Sequence, residues 1–96
     1  DDYRESPAIK VIEEFHKYGS QVQFYDPYIK EFTEKGQTMT GLSELTAEHL
    51  KAADLVVITT AHTNIDYDFV QQNASFIFDT KNAMKDVKNR ENIELL

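Results

Sequence analysis

The feature that most constrains this chain is the uninterrupted apolar run Leu-Val-Val-Ile at residues 55–58, which two threonines follow. Such a run without alternation is typical of a strand that is buried on both faces of a parallel sheet. A second run, Ser-Phe-Ile-Phe-Asp at residues 75–79, predicts another buried strand. Between them, Asp66 is a good N-cap for a helix over residues 66–74. Strand, helix and strand in this order predict a parallel sheet.

The amino-terminal part predicts an amphipathic helix over residues 7–18. Ser6 can cap this helix, and Pro7 suits its first position. Gly19 is placed to end it in a left-handed conformation. Its apolar face carries Ile9 and Ile12, with Phe15 and His16 beside them, and His16 is expected to be partly buried or at the surface.

The next segment alternates between polar and apolar residues and predicts a strand at 21–25, which Asp26-Pro27 ends. Residues 28–45 are expected to be irregular, with breaks at Gly36 and Gly41 and an extended piece around 38–42.

Thr46 is the expected N-cap of a short helix at 46–53, and residues 93–96 predict a final short strand. The fold class is therefore α/β: a Rossmann-like three-layer domain with a mostly parallel sheet. We expect residues 1–96 to form one domain.

A Rossmann-like unit begins with a strand, yet here only a charged loop precedes the first predicted helix. We therefore expect a fragment of a longer chain that lacks its first strand. The sheet would then bring residues 21–25 and 54–60 together, or borrow a strand from a neighbouring molecule. Because an unpaired edge invites pairing with another chain, we expect a homo-oligomer.

Composition excludes several classes of function. The formal net charge of -7 argues against nucleic-acid and anionic-membrane partners. The absence of cysteine excludes disulfides, thiolate nucleophiles and cysteine-ligated metals within the chain. No apolar run is long enough to span a bilayer and no signal peptide is visible, so we expect a cytoplasmic protein.

Ligands of parallel sheets bind at the carboxyl ends of the strands, where this sequence places Asp26, residues 59–62 and residues 79–82. Lys81 can neutralise an anionic substrate there, or it can simply be exposed to solvent beside Asp79. His62 is a candidate base or ligand contact, although packing or capping of its loop is the commoner role. No two histidines have metal-ligand spacing, so we expect no metal site.

Arg4 offers a planar fork of donors that can bind a phosphate or a carboxylate. The alternative is a local ion pair with one of its acidic neighbours. Paired acids with a later lysine also suggest a phosphate-accepting receiver domain. That interpretation fails because Asp54 precedes its strand and would lie at the opposite end of the sheet.

Four segments in order, DDYRESPAIKVIEEF, FYDPYI, ADLVVITTAHTNIDYDF and FIFDTKNAMK, resemble the carboxyl-terminal domain of UDP-glucose/GDP-mannose dehydrogenases. The likeness covers nearly the whole chain and is greatest to the UDP-N-acetylhexosamine branch. Its most specific elements are D-x-R-E-S-P at the start and D-T-K-N-A near the end.

The resemblance implies an enzyme that oxidises the C6 alcohol of a UDP-sugar to a carboxylate for surface polysaccharide, using two NAD and a cysteine thiohemiacetal. In this family the catalytic cysteine and the G-x-G-x-x-G loop lie upstream, so this chain alone is expected to be inactive. The likeness assigns Arg4 to NAD and Lys81 to the UDP-sugar substrate. Family members commonly have arginine at the position of Lys81, and lysine keeps the charge but loses the bidentate fork.

The competing hypothesis is a non-catalytic Rossmann-like interaction or regulatory module. The two hypotheses differ over Arg4 and Lys81. A dehydrogenase domain requires both to face one cleft, whereas a regulatory module leaves them as unrelated surface charges.

Overall fold

Helices and strands alternate along most of the chain in a computed structural model that describes residues 7–34 and 36–96. In chain order the elements are α1 (Pro7–Lys17), β1 (Glu31–Glu34), β2 (Gln37–Thr40), α2 (Ala47–Ala52), β3 (Val56–Ile58), α3 (Tyr67–Asn73), β4 (Ile77–Asp79) and β5 (Ile93–Leu95). The chain divides into two compact units, Asp1–Leu45 and Thr46–Leu96.

Helix α1 confirms the helix predicted at the amino-terminal end. Ile9 and Ile12 are buried, Phe15 is half-buried, and His16 is exposed, which is one of the two positions expected for it. The predicted end at Gly19 is confirmed, with φ at 79°. The N–H of Ser20 donates to the carbonyl of Phe15 at 3.1 Å, which makes this end a Schellman motif.

The first unit also contains a hairpin where the sequence predicted an irregular segment with one extended piece. Strands β1 and β2 pair antiparallel, with Phe32 opposite Met39. Gly36 lies in the turn with φ at 79°, a conformation that glycine adopts without steric cost. Phe32 is buried in a small core with Ile9 and Ile12. The hairpin was missed because most of its residues are polar.

The strand predicted at residues 21–25 is not formed. Its side chains do alternate as expected, because Val22 and Phe24 pack against the core of the first unit. Among the described residues, one backbone bond is made by this stretch, from the N–H of Leu42 to the carbonyl of Phe24 at 2.9 Å. A single bond does not make a ladder, so the prediction of a strand here was wrong. Borrowing of a strand from a neighbouring molecule stays a prediction.

The second unit contains the parallel sheet, with strand order β3-β4-β5. Val56 pairs with Ile77, and Ile77 pairs with Ile93, in two parallel ladders. The predicted strands at 55–60, 75–79 and 93–96 are thus confirmed in shorter form. The α/β class with a parallel, Rossmann-like sheet is confirmed.

Both predicted helix caps of this unit are also confirmed. The hydroxyl of Thr46 accepts from the N–H of His49, and the carboxylate of Asp66 accepts from the N–H of Phe69. Helix α3 connects β3 to β4 and therefore completes the βαβ unit that the sequence predicted. Within the described ranges, no helix is long and apolar enough to cross a membrane.

Candidate functional site

Strands β3 and β4 end side by side, because Ile58 pairs with Asp79. The N–H of Thr80 donates to the carbonyl of Ile58 at 3.1 Å, and its hydroxyl donates to the same oxygen at 2.6 Å. These bonds bring the segments 59–62 and 79–82 to one edge of the sheet, as predicted. We call this edge the carboxyl edge.

Asp79 is the last residue of β4, and its side chain is completely buried. Oδ1 accepts hydrogen bonds from the N–H groups of Lys81 and Ala83 at 3.0 and 3.1 Å, and Oδ2 accepts one from Met84 at 2.9 Å. The buried carboxylate is thereby provided with backbone donors. Sequence reasoning placed Asp79 at the edge but missed this role. The signal available was an aspartate at a strand end followed directly by a polar turn.

Asn82 lies in the left-handed region, with φ at 53°. Asparagine is one of the few residues with a side chain that tolerate this region. The two amides that flank Asn82 in sequence, those of Lys81 and Ala83, both donate to Oδ1 of Asp79. One oxygen atom therefore fixes the backbone on both sides of the turn.

Lys81 is exposed at the carboxyl edge. Only its backbone N–H contacts Asp79, and its ammonium forms no salt bridge with any residue that the structure describes. This exposure fits both the substrate contact and the simple solvent exposure considered for Lys81, so its role stays a prediction. Lys81 presents a positive charge that the described part of the chain does not neutralise.

Two more lysines follow in the same segment. Lys85 and Lys88 are exposed, and their side-chain ammonium groups, like that of Lys81, form no hydrogen bond or ion pair among the described residues. Arg90 differs, because its guanidinium donates to the carbonyls of Met84 and Val87 at 2.7 and 3.3 Å. Arg90 therefore stabilises the turn that follows Asp79.

His62 is half-buried in the loop after β3, and its backbone N–H donates to the hydroxyl of Tyr67 at 2.9 Å. This bond ties the loop to the first turn of α3, and the role of the His62 imidazole stays a prediction. No group of three or more metal-ligating side chains occurs in residues 7–34 and 36–96.

Two other predicted residues belong to the first unit of the chain. Arg4 lies outside the described residues. Asp26 belongs to the first unit, where Oδ1 accepts from the N–H groups of Tyr28 and Ile29 at 2.8 and 3.1 Å. Its carboxylate thus organises the turn after Pro27, and its position at the carboxyl edge stays a prediction.

Comparison with known families identifies the chain. Residues 1–86 match the model described as UDP-glucose/GDP-mannose dehydrogenase family, UDP binding domain. This chain belongs to that family. The match includes both elements on which the sequence resemblance rested, D-x-R-E-S-P and D-T-K-N-A.

One curated relative of this UDP-binding domain is UDP-N-acetyl-D-mannosamine dehydrogenase from Methanocaldococcus jannaschii, which is 35% identical over 99 residues. The alignment covers 95% of this chain and 21% of that protein. The chain therefore spans about a fifth of the length of the relative. No solved structure matches.

Within the UDP-binding domain, D-T-K-N-A forms the turn that folds around Asp79. Asp79 and Thr80 are used internally, whereas Lys81 and Asn82 are exposed. The element thus combines two anchoring residues with two residues that are available to a ligand.

Proposed function

We propose that this chain is the nucleotide-sugar-binding domain of an NAD-dependent UDP-sugar 6-dehydrogenase. The enzyme oxidises the C6 alcohol of a UDP-hexose or UDP-N-acetylhexosamine to the uronic acid, for surface polysaccharide synthesis in the cytoplasm. The observation that carries this proposal is the match of residues 1–86 to a UDP-binding domain. The exposed, unneutralised ammonium of Lys81 in the D-T-K-N-A turn supports it.

Lys81 is the proposed contact to the substrate. A nucleotide sugar carries a diphosphate, and an ammonium ion binds phosphate oxygens as a compact point charge. The charge is most useful when no carboxylate of the protein competes for it, and Asp79 is prevented from doing so by its three backbone donors.

Arg4 is the proposed contact to NAD, which supplies the hydride acceptor when bound. The glycines of this chain, Gly19, Gly36 and Gly41, lie too far apart to form the G-x-G-x-x-G fingerprint of dinucleotide sites. The residues present here therefore fit a supporting contact rather than the main NAD site. The chain also contains no cysteine to form a thiohemiacetal, so we infer that it does not catalyse the oxidation by itself.

The substrate we favour is a UDP-N-acetylhexosamine. The curated relative is named for UDP-N-acetyl-D-mannosamine, and it matches 95% of this chain. UDP-glucose is the matched comparison, because it presents the same nucleotide and diphosphate without the N-acetyl group.

The test is an assay of the full-length natural protein with four nucleotide sugars, following NADH by absorbance. UDP-N-acetylmannosamine, UDP-N-acetylglucosamine, UDP-glucose and GDP-mannose are supplied separately with NAD. Two NADH formed for each UDP-N-acetylhexosamine consumed supports the proposal. No turnover of any of the four, together with no binding of UDP by calorimetry, contradicts it and favours a regulatory module.

A further inference from the structure

The 79–84 loop is organised around a buried negative charge that no ligand reaches directly. Asp79 has no exposed surface, and both of its carboxylate oxygens are occupied by backbone N–H groups of the same loop. The loop is also tied to β3 through the two bonds from Thr80 to Ile58. Its base is therefore fixed at two independent points.

The bonds to Asp79 act on the residues that are exposed. Lys81 donates its own N–H to Oδ1, so the carboxylate restrains the backbone from which the ammonium projects. Ala83 donates to the same atom, which holds Asn82 between them at a φ of 53°. Left-handed backbone is unfavourable for residues with a side chain, and it persists where the surroundings enforce it.

We propose that Asp79 is the positioning residue of the UDP-sugar site: it holds the backbone of the 79–84 loop, with Asn82 in its left-handed conformation, so that the ammonium of Lys81 is presented to the diphosphate in one fixed position. This inference rests on the proposed function of Lys81. It adds that the affinity of the site depends on a residue that the substrate does not touch. A binding group held in place in advance loses less conformational freedom when the ligand arrives.

A carboxylate is suited to this role because it only accepts hydrogen bonds, and every donor that faces it here is a backbone N–H. Asparagine has nearly the same shape, but its NH2 group would face one of these donors. Asp79→Asn therefore changes the restraint while it preserves the volume of the side chain. Alanine at position 82 perturbs the same loop differently, since it adopts positive φ less readily than asparagine.

The experiment measures the dissociation constant of UDP by calorimetry for the full-length protein. The variants are Asp79→Asn, Lys81→Met and the double variant, and Asn92→Ala is the control for lost stability. Asn92 is chosen because its hydrogen bonds lie at the end of α3 and not in the 79–84 loop. All titrations are made at a temperature at which circular dichroism shows every variant to be folded.

We expect Asp79→Asn to weaken UDP binding roughly tenfold, as expected when a binding group is displaced by less than an ångström. In the Lys81→Met background the same substitution should have little further effect, because the residue that it positions is gone. Asn92→Ala should leave the affinity unchanged. A merely structural role of Asp79 would not produce this dependence on Lys81.

The other outcomes separate the two proposals. If Lys81→Met weakens binding and Asp79→Asn does not, the positioning role is wrong and the proposed role of Lys81 stands. If Lys81→Met has no effect, the proposed role of Lys81 is wrong and the positioning role falls with it. If Asp79→Asn does not fold, Asn82→Ala replaces it in the same cycle, and a loss of affinity that is independent of Lys81 contradicts the proposal.

Discussion

Thr80 donates twice to the carbonyl oxygen of Ile58, through its N–H at 3.1 Å and through its hydroxyl at 2.6 Å. The first of these bonds continues the parallel ladder between β3 and β4 for one residue beyond the strands. The second requires a side chain with a hydroxyl group. Together they hold the 79–84 loop against the end of β3.

Replacing Thr80 with valine should lower the free energy of unfolding by about 1 kcal/mol, the usual contribution of one hydrogen bond. The N–H bond to Ile58 remains, so its carbonyl is not left without a donor. Urea unfolding followed by circular dichroism measures the change. Thr80→Ser keeps the hydroxyl and should recover most of the loss. Equal stability of the serine and valine variants would show that the hydroxyl bond contributes nothing.

Lys81→Met should weaken the binding of UDP by the full-length protein about tenfold or more, since a hydrogen bond to a charged group contributes about 1.5–3 kcal/mol. Lys81→Arg should bind at least as tightly as the wild type, because arginine adds a second parallel donor to the same charge. Lys85→Met is the matched control, as Lys85 is also exposed and unpaired among the described residues.

Calorimetric titration with UDP checks these three variants. Equal losses of UDP affinity in Lys85→Met and Lys81→Met would mean that UDP binding depends on the overall positive charge of the segment and not on Lys81 in particular. In that case raising the ionic strength should weaken the binding of UDP to both variants by a similar factor.

Gly41 lies against the ring of Phe24, and a methyl group added to it would come within 2.7 Å of Cε2 and 2.9 Å of Cζ. Gly41→Ala should therefore lower the free energy of unfolding by about 1–3 kcal/mol through overpacking. The ring cannot move freely, because it also packs on Phe32 with the ring centroids 5.2 Å apart.

The control for this prediction is the double variant with Phe24→Leu, whose smaller side chain makes room for the methyl group. Thermal unfolding should show that Gly41→Ala costs less in the Phe24→Leu background than in the wild type. Equal costs in the two backgrounds would mean that the ring is not what excludes a side chain at Gly41.

Asn92 joins the end of α3 to the start of β5. Its side-chain amide donates to the carbonyls of Gln71 and Ala74 at 3.0 and 2.9 Å, and Oδ1 accepts from the buried amide of Gln71 at 3.1 Å. Asn92→Ala removes all three bonds and should cost about 2–4 kcal/mol in urea unfolding. Asn92→Asp keeps the acceptor but places a carboxylate beside two carbonyl oxygens, so it should be no more stable than the alanine variant.

Local signals allowed much of the second unit to be predicted. Thr46 and Asp66 were recognisable as caps because their side chains bond to amides three residues on, and the apolar runs at β3 and β4 needed no partner to be recognised. The non-local features were not predictable in the same way. Residues 21–25 alternate as a strand does, but a strand also requires a neighbour, and sequence alternation does not supply one.

The same difference between local signals and non-local features applies to the candidate site. The position of Lys81 at the carboxyl edge followed from its place after a buried strand, and the resemblance added its role. The function of Asp79 did not follow, because its partners are backbone N–H groups that every residue but proline carries. Such a bond does not depend on the identity of any neighbouring side chain, so the sequence gives no sign of it.

Self-association of the chain is the remaining prediction. Strand β3 pairs with β4 on one side and has no second neighbour in the sheet of the described residues. An edge strand of valine and isoleucine is a template for pairing with another chain. Sedimentation velocity of the 96-residue chain should therefore show a monomer–dimer equilibrium that shifts with concentration. Val57→Lys introduces a charge at the edge and should favour the monomer, whereas Leu96→Lys, an exposed change outside the strands, should not. A chain that stays monomeric up to millimolar concentration would contradict the prediction.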